Sequence, residues 1–259
     1  MPNHVINRIT FTCDGDRLQQ ILSEICYDQR DEAEYGPGTL DFNKLKPMPE
    51  SLSIESGTSM TDGVNLYLTA VNPSGAELGL KKLSNEEFQK LLSAFQGASR
   101  FWSYNAELTL DEVSKCTSYR SLTELLNLGE TAVNNKIRYG ALTWYEWCSS
   151  ESNWNTKWNS YDAEPYDGGD TISFATAWSP PHPVLEALSA KYPGVSILHR
   201  WADEDLGNNC GWAEYENGEV QQFTLFDGGQ EALSFAEELW GFEPDELYDM
   251  EPDEPELSL

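Results

Sequence analysis

Basic side chains are scarce in this chain: 16 Lys and Arg stand against 44 Asp and Glu over 259 residues, a formal net charge of −28. A surface so anionic repels phosphate and acidic lipid headgroups, which excludes direct binding to nucleic acid or a membrane surface and favours basic protein surfaces. Long apolar runs are missing too, and Met1 to Arg8 holds no basic stretch leading into an apolar core. Neither a spanning helix nor a secretory leader is expected, and the expected location is the cytoplasm. The five cysteines are odd in number, widely spaced and never in a C-x-x-C arrangement, which excludes a disulfide framework and a zinc knuckle and leaves buried reduced thiols. Histidine occurs only at His4, His182 and His199, and no G-x-S-x-G, P-loop or H-E-x-x-H is present. No catalytic residue, cofactor or metal is therefore expected from motif chemistry.

Aromatic residues, by contrast, are plentiful: nine Trp, twelve Tyr and ten Phe supply a packed core that acidic disordered chains lack. The charge sits on a folded body. Residues 5 to 12 alternate, with Val5, Asn7, Ile9 and Phe11 on one face of a predicted strand. A helix capped by Asp14 or Asp16 follows, with Leu18, Ile21, Leu22 and Ile25 at helical spacing, and Leu40 to Leu45 reads as a second strand. Residues 61–150 read as helical, with apolar sets at Phe88, Leu91, Leu92 and Phe95, at Leu122, Leu125, Leu126 and Leu128, and at Ile137, Ala141, Trp144, Tyr145 and Cys148 on one face of a single helix. Strand pattern returns at Lys157 to Tyr161 and Thr171 to Trp178 around a long loop, a helix spans Val184 to Lys191, and strands follow at Val195 to Ala202, Gly211 to Glu216 and Val220 to Phe226. Asn217-Gly218 predicts a tight hairpin between the last two, and a helix from about Gln230 to Trp240 comes next.

The expected fold is α+β: a ferredoxin-like antiparallel sheet with helices on one face. Residues 1–60 form its N-terminal β-α-β part, 61–150 a helical insertion, 151–242 its C-terminal part, and 243–259 an acidic tail expected to be disordered alone.

Five segments, from Met1 to Ile9, Asp41 to Pro49, Trp154 to Asn159, Thr176 to Pro181 and Ala202 to Gly207, together resemble the plasmid- and phage-borne proteins that carry the YubB ferredoxin-like domain, Api92-like proteins among them. The resemblance covers the first fifty residues and roughly 140 to 225. It implies a ferredoxin-like fold and residence on bacterial mobile elements, and it carries no catalytic residue.

Candidate sites follow from charge and aromatics. In the last 60 residues Arg200 is the only base against eighteen acids. Asp203, Glu204, Asp205, Glu237, Glu238, Glu243, Asp245, Glu246 and Asp249 are the candidate partner-binding acids, spread as a phosphate backbone spreads its charge. Asp203 to Glu214 has the span of a calcium loop, but Asn208 stands where that loop needs glycine, so turn formation is the better reading. Trp154, Trp158 and Trp178 with Asn208 and Asn209 form a candidate pocket, whose bland alternative is tryptophans packing the core. The leading expectation is a non-enzymatic acidic protein that engages a basic, nucleic-acid-handling host complex, in the manner of a DNA mimic or an inhibitor of restriction or CRISPR defence. The alternatives are an enzyme or small-ligand or metal binder using the Trp and Asp pocket, and a structural or accessory mobile-element protein.

Overall fold

The computed structural model describes residues 3–26, 40–96, 104–164 and 166–241. In chain order the elements are β1 (His4–Phe11), α1 (Gly15–Ile25), α2 (Thr58–Val71), α3 (Asn85–Gln96), α4 (Leu110–Cys116), α5 (Leu122–Tyr139), α6 (Trp144–Cys148), β2 (Thr171–Ala177), α7 (His182–Lys191), β3 (Ile197–Asp203), β4 (Gly211–Glu216), β5 (Glu219–Leu225) and α8 (Gly229–Trp240). They divide into two compact units, one running up to Pro47 and resuming at Ser149, the other Met48–Cys148.

The first unit is built on an antiparallel sheet of order β2-β1-β3-β4-β5. Between β2 and β3 lies β1, whose alternating burial puts Val5, Asn7, Ile9 and Phe11 inward as the period-2 pattern predicts. Both β2 and β3 pair antiparallel with β1, so they run parallel to each other with β1 between them. The crossover that parallel strands require is α7. It starts where Pro181 and Pro183 tolerate a first turn without N–H donors, and its Val184, Leu185 and Leu188 are buried. Beside its end lies α1, capped by Asp14, whose carboxylate accepts from Arg17 N; Tyr192 Oη donates to Glu24 Oε2 (2.7 Å), and Arg17 stands over the Tyr192 ring.

Across the opposite face lies α8, so the helices cover both faces of the sheet and not one as expected, because Ile6, Ala202 and Cys210 give the second face an apolar patch of its own. Ala232, Ala236 and Leu239 pack on Ala202 and Cys210, with Ile6 and Leu206 alongside. The two arginines of that face are taken up by this helix: Arg8 donates to the Leu239 carbonyl (3.3 Å), and Arg200 pairs with Glu238 (2.9 Å) and stands over the Phe235 ring. Cations near a helix C-terminus complement its exposed carbonyls.

Three further sequence expectations are corrected. Leu40 to Leu45 is not a strand: only Leu40 bridges, to Cys26, and Phe42–Lys44 is a 3-10 turn. Asp41 Oδ1 accepts from Asn43 N and Asn159 Oδ1 accepts from Phe42 N, which takes the donors a ladder would need. Lys157 to Tyr161 is likewise no strand, since only Tyr161 pairs, with Ala175, while Asn155 and Asp162 take positive φ on either side. Ile137 to Cys148 is two helices, because Gly140 at φ 73 ends α5 and leaves Ile137 45% exposed.

In the second unit α2 crosses α5 at Gly63 and Gly129. A Cβ added to Gly129 would overlap the backbone of Gly63, and one added to Gly63 would sit 2.6 Å from the Leu125 carbonyl. This approach seats one apolar cluster of Met60, Val64, Leu68, Phe95 and Val133 and another of Leu66, Ala70, Val113 and Leu125. Reciprocal Ser121 and Glu124 capping fixes the start of α5, and buried Lys136 near its end pairs with Glu146 Oε2 (3.1 Å), which also accepts from Leu142 N.

Gly129→Val is expected to force this crossing apart and cost about 2 to 3 kcal/mol in chemical denaturation. A change within about 0.5 kcal/mol would mean that the two backbones are not in contact.

Candidate functional site

Where β3 ends, the candidate acids separate into two kinds. Asp203 is 5% exposed, and its carboxylate accepts from Asn3 Nδ2 (3.0 Å), Asp205 N (2.9 Å) and Asn209 Nδ2 (3.3 Å). It organises the loop rather than presenting charge. Glu204 and Asp205 are exposed, and Asp205 Oδ2 accepts from Asn208 Nδ2 (3.1 Å) in the expected turn. Trp240 Nε1 donates to the Asp203 carbonyl (3.1 Å), which ties the last turn of α8, carrying Glu237 and Glu238, to the loop of Glu204 and Asp205. Glu238 is paired with Arg200. Glu243, Asp245, Glu246 and Asp249 lie outside the described residues.

The tryptophans also divide. Trp154 is 4% exposed, donates to the Lys46 carbonyl (2.9 Å) and meets Phe42 edge-on, so it belongs to the core and not to a pocket. Trp158 and Trp178 are 38% and 40% exposed, and Lys157 Nζ stands 4.4 Å from one ring centre and 5.0 Å from the other. That is a cation between two indole faces. Trp178 holds φ +70, a costly conformation for a bulky side chain, imposed by its N–H on the Asn3 carbonyl (2.9 Å) and by Asn209 Nδ2 on its own carbonyl (3.0 Å). Tyr161 adjoins Trp158 and donates to the Thr176 carbonyl, so its oxygen accepts from His4 Nδ1 (2.8 Å). Burial, with Asp162 and Glu204 nearby, pushes the Tyr161 hydroxyl up to about 12.

A third grouping was not among the sequence-based candidates: His182, His199, Trp201, Tyr215 and Phe223 assemble between α7 and the inner face of β3, β4 and β5. Thr176 Oγ1 donates to the Ser179 carbonyl and accepts from Asn7 Nδ2 (2.9 Å), which also donates to Val5 O. Asn7 Oδ1 is thereby the acceptor, and His199 Nε2 (3.0 Å) carries the proton. His199 Nδ1 and Trp201 Nε1 are buried without a partner among the described residues. His182 Nδ1 and Tyr215 Oη lie 2.6 Å apart, and the His182 ring stands edge-on to Trp201 at 4.6 Å and to Phe223 at 5.4 Å. Burial lowers His182 to about 4. Burial, and then His182, hold His199 well below the ordinary imidazole range. Both rings are neutral at pH 7. The signal available in the sequence was the inward period of Ile197, His199 and Trp201.

Residues 153–243 match the ferredoxin-like domain in Api92-like protein. This ferredoxin-like domain therefore spans the segment from Trp154 through α8 and completes its sheet with β1. A crystal structure of a protein api92 from Yersinia pseudotuberculosis is similar at 12% identity, covering 88% of this chain and 99% of that chain with a TM-score of 0.37. No curated protein matches. Among the described residues no helix is long and apolar enough to cross a membrane, and no group of three or more His, Cys, Asp or Glu is arranged to hold a metal ion.

Two outcomes follow for the ferredoxin-like domain. The unfolded chain protonates its histidines near 6.5, whereas folded His182 resists until about 4 and His199 is likewise held well below the ordinary range. Stability is therefore complete above that range and falls as pH drops from 6.5 toward 4, and His182→Gln flattens the fall in thermal melts recorded across it. Asp203→Asn sets an NH2 against at least one of the three donors, whichever way the amide turns, and is expected to cost about 1 to 3 kcal/mol, whereas Asp205→Asn in the same melts stays within about 0.5 kcal/mol.

Proposed function

We propose that this protein is a non-enzymatic acidic binding protein that occupies the basic surface of a host nucleic-acid-handling complex and inhibits it, as a DNA mimic acting against restriction or CRISPR defence would. The observation that carries this reading is the charge of one contiguous part of the ferredoxin-like domain: β4, β5 and α8 bear Glu214, Glu216, Glu219, Glu231, Glu237 and Glu238 and not one Lys or Arg. Glu204 and Asp205 add exposed carboxylates on the loop that Trp240 ties to the end of α8. A basic groove meeting such a surface associates fast and in a salt-dependent manner. The resemblance to proteins of plasmids and phages supports the choice of a host defence complex as target.

A second reading rests on Lys157 between the exposed rings of Trp158 and Trp178. This place suits a small ligand with a flat apolar face and a polar edge. Such a ligand would raise the melting temperature of the free protein.

The test is capture from a bacterial lysate that contains defence complexes, washed from about 0.05 M to about 0.5 M salt. The expected result is a basic nucleic-acid-binding complex that salt releases, with Glu231→Lys and Glu237→Lys together weakening capture by roughly tenfold. A partner held equally at both salt concentrations, or indifferent to those charge reversals, contradicts the reading.

A further inference from the structure

We propose that the outer edge of β5 takes an extended basic segment of the partner as a sixth strand of the sheet. This rests on the acidic-surface reading and specifies how the partner is held.

The two edges of the sheet are treated differently. At the β2 edge, Tyr161 and Ala175 exchange both backbone hydrogen bonds (3.1 and 2.7 Å), and Glu164 N donates to the Ser173 carbonyl (3.0 Å). That edge is covered. At the other end of the strand order stands β5, with no further strand beside it among the described residues. Exposed edges invite pairing, and proteins usually blunt them with proline, lysine or a short strand. Over its seven residues, Glu219–Leu225, β5 contains neither proline nor lysine. A register shift against Glu214 and Tyr215 is its one irregularity, and it leaves Gln222 to Leu225 in regular pairing.

The two faces of this edge differ in chemistry. Val220, Phe223 and Leu225 pair with Tyr215, Ala213 and Gly211, which places them on the side that β4 turns toward α7. They are 41%, 52% and 58% exposed, and the Phe223 ring lies 5.6 Å from Trp201. This apolar row borders the core at the edge of α7, whose His182 ring meets Phe223 at 5.4 Å, and stays about half exposed. Glu219 pairs with Glu216, and Gln222 with Glu214, on the reverse side. An added strand alternating apolar and basic residues would lay its apolar set on Val220, Phe223 and Leu225 and its basic set against Glu219, Glu216 and Glu214.

Charge decides between occupants. A second copy pairing through β5 would bring its own Glu214, Glu216 and Glu219 against those of the first, in a chain of net charge −28. A basic segment meets complementary charge on that side and apolar surface on the other.

The test uses a synthetic peptide of alternating lysine and valine, as long as β5, titrated into the full chain at low salt with amide chemical shifts recorded. Two further peptides carry N-methyl groups on one or the other alternate set of backbone amides, which removes donors and keeps the charge. The expected result is a shift of the Glu219 to Leu225 amides, loss of at least about tenfold in affinity for one methylated peptide and little for the other, and a similar loss with Phe223→Thr plus Leu225→Thr. Because Phe223 also packs on His182 and Trp201, the threonine variant is first shown to be folded by its melting curve, and Leu225→Thr alone is measured beside it. Equal binding of both methylated peptides, lost only at high salt, overturns strand addition and leaves the acidic-surface reading standing. No binding of any basic peptide at low salt overturns both. Dimerisation of the free protein that Leu225→Lys abolishes assigns the edge to a second copy and overturns the basic occupant.

Discussion

The buried amide of Asn7 is the constraint on which the sheet depends. It lies at the middle of β1, fully buried, and bonds to β2 through Thr176 and to β3 through His199. A polar group placed there stabilises only with its partners in place, because an unmatched buried amide or imidazole costs as much as several contacts contribute. Its orientation propagates outward. With Asn7 Oδ1 as acceptor, His199 must carry its proton on Nε2 and remain neutral, and Trp201, His182 and Tyr215 then pack around a ring whose charging would leave a buried donor without an acceptor. Gly211 has a requirement of its own, since a Cβ there would overlap the Thr224 carbonyl of β5 and stand 2.8 Å from the Trp201 ring. The link from β1 to both neighbouring strands and the acid sensitivity of the domain thus meet at one side chain.

The two faces of the sheet serve different ends as a result. The inner face is closed by α7 over the histidine and aromatic cluster, and its cover thins at β5, where Phe223 still meets His182 but is half exposed. The outer face uses α8 to take up Arg8 and Arg200, so the positive charge of the sheet is spent internally. The charged side chains that β4, β5, the loop after β3 and α8 carry are all carboxylates. Our functional reading joins these consequences: an anionic surface that ends in an open strand edge with an apolar row.

Much of the sheet was legible in the sequence because period-2 burial is a local signal. Val5, Asn7, Ile9 and Phe11 point inward as the alternation requires, and Asn217-Gly218 closes the β4 to β5 hairpin. Elements failed where side chains took backbone donors: Asp41 and Asn159 turned an apolar run into a 3-10 turn that still buries Leu40 and Phe42. Gly140 cut one expected helix in two, a stop signal that the apolar periodicity on either side obscured. The site was less legible because composition does not report burial. Asp203 and Trp154, equal in sequence to their exposed neighbours, turned inward because the loop and the core each needed one hydrogen-bonded polar atom at that point. His182 and His199 meet only through the crossover of α7, a relation that spacing alone cannot supply.

The most direct test of the account is amide hydrogen exchange across the ferredoxin-like domain, free and with the salt-released partner bound. The account predicts slowed exchange along β5 from Glu219 to Leu225 and in the exposed turns of α8, with the segment from Asn155 to Tyr161 unchanged. Slowed exchange confined to the end of the domain that carries Trp158 and Trp178, with β5 exchanging as in the free protein, would contradict it and transfer function to the tryptophan and lysine site.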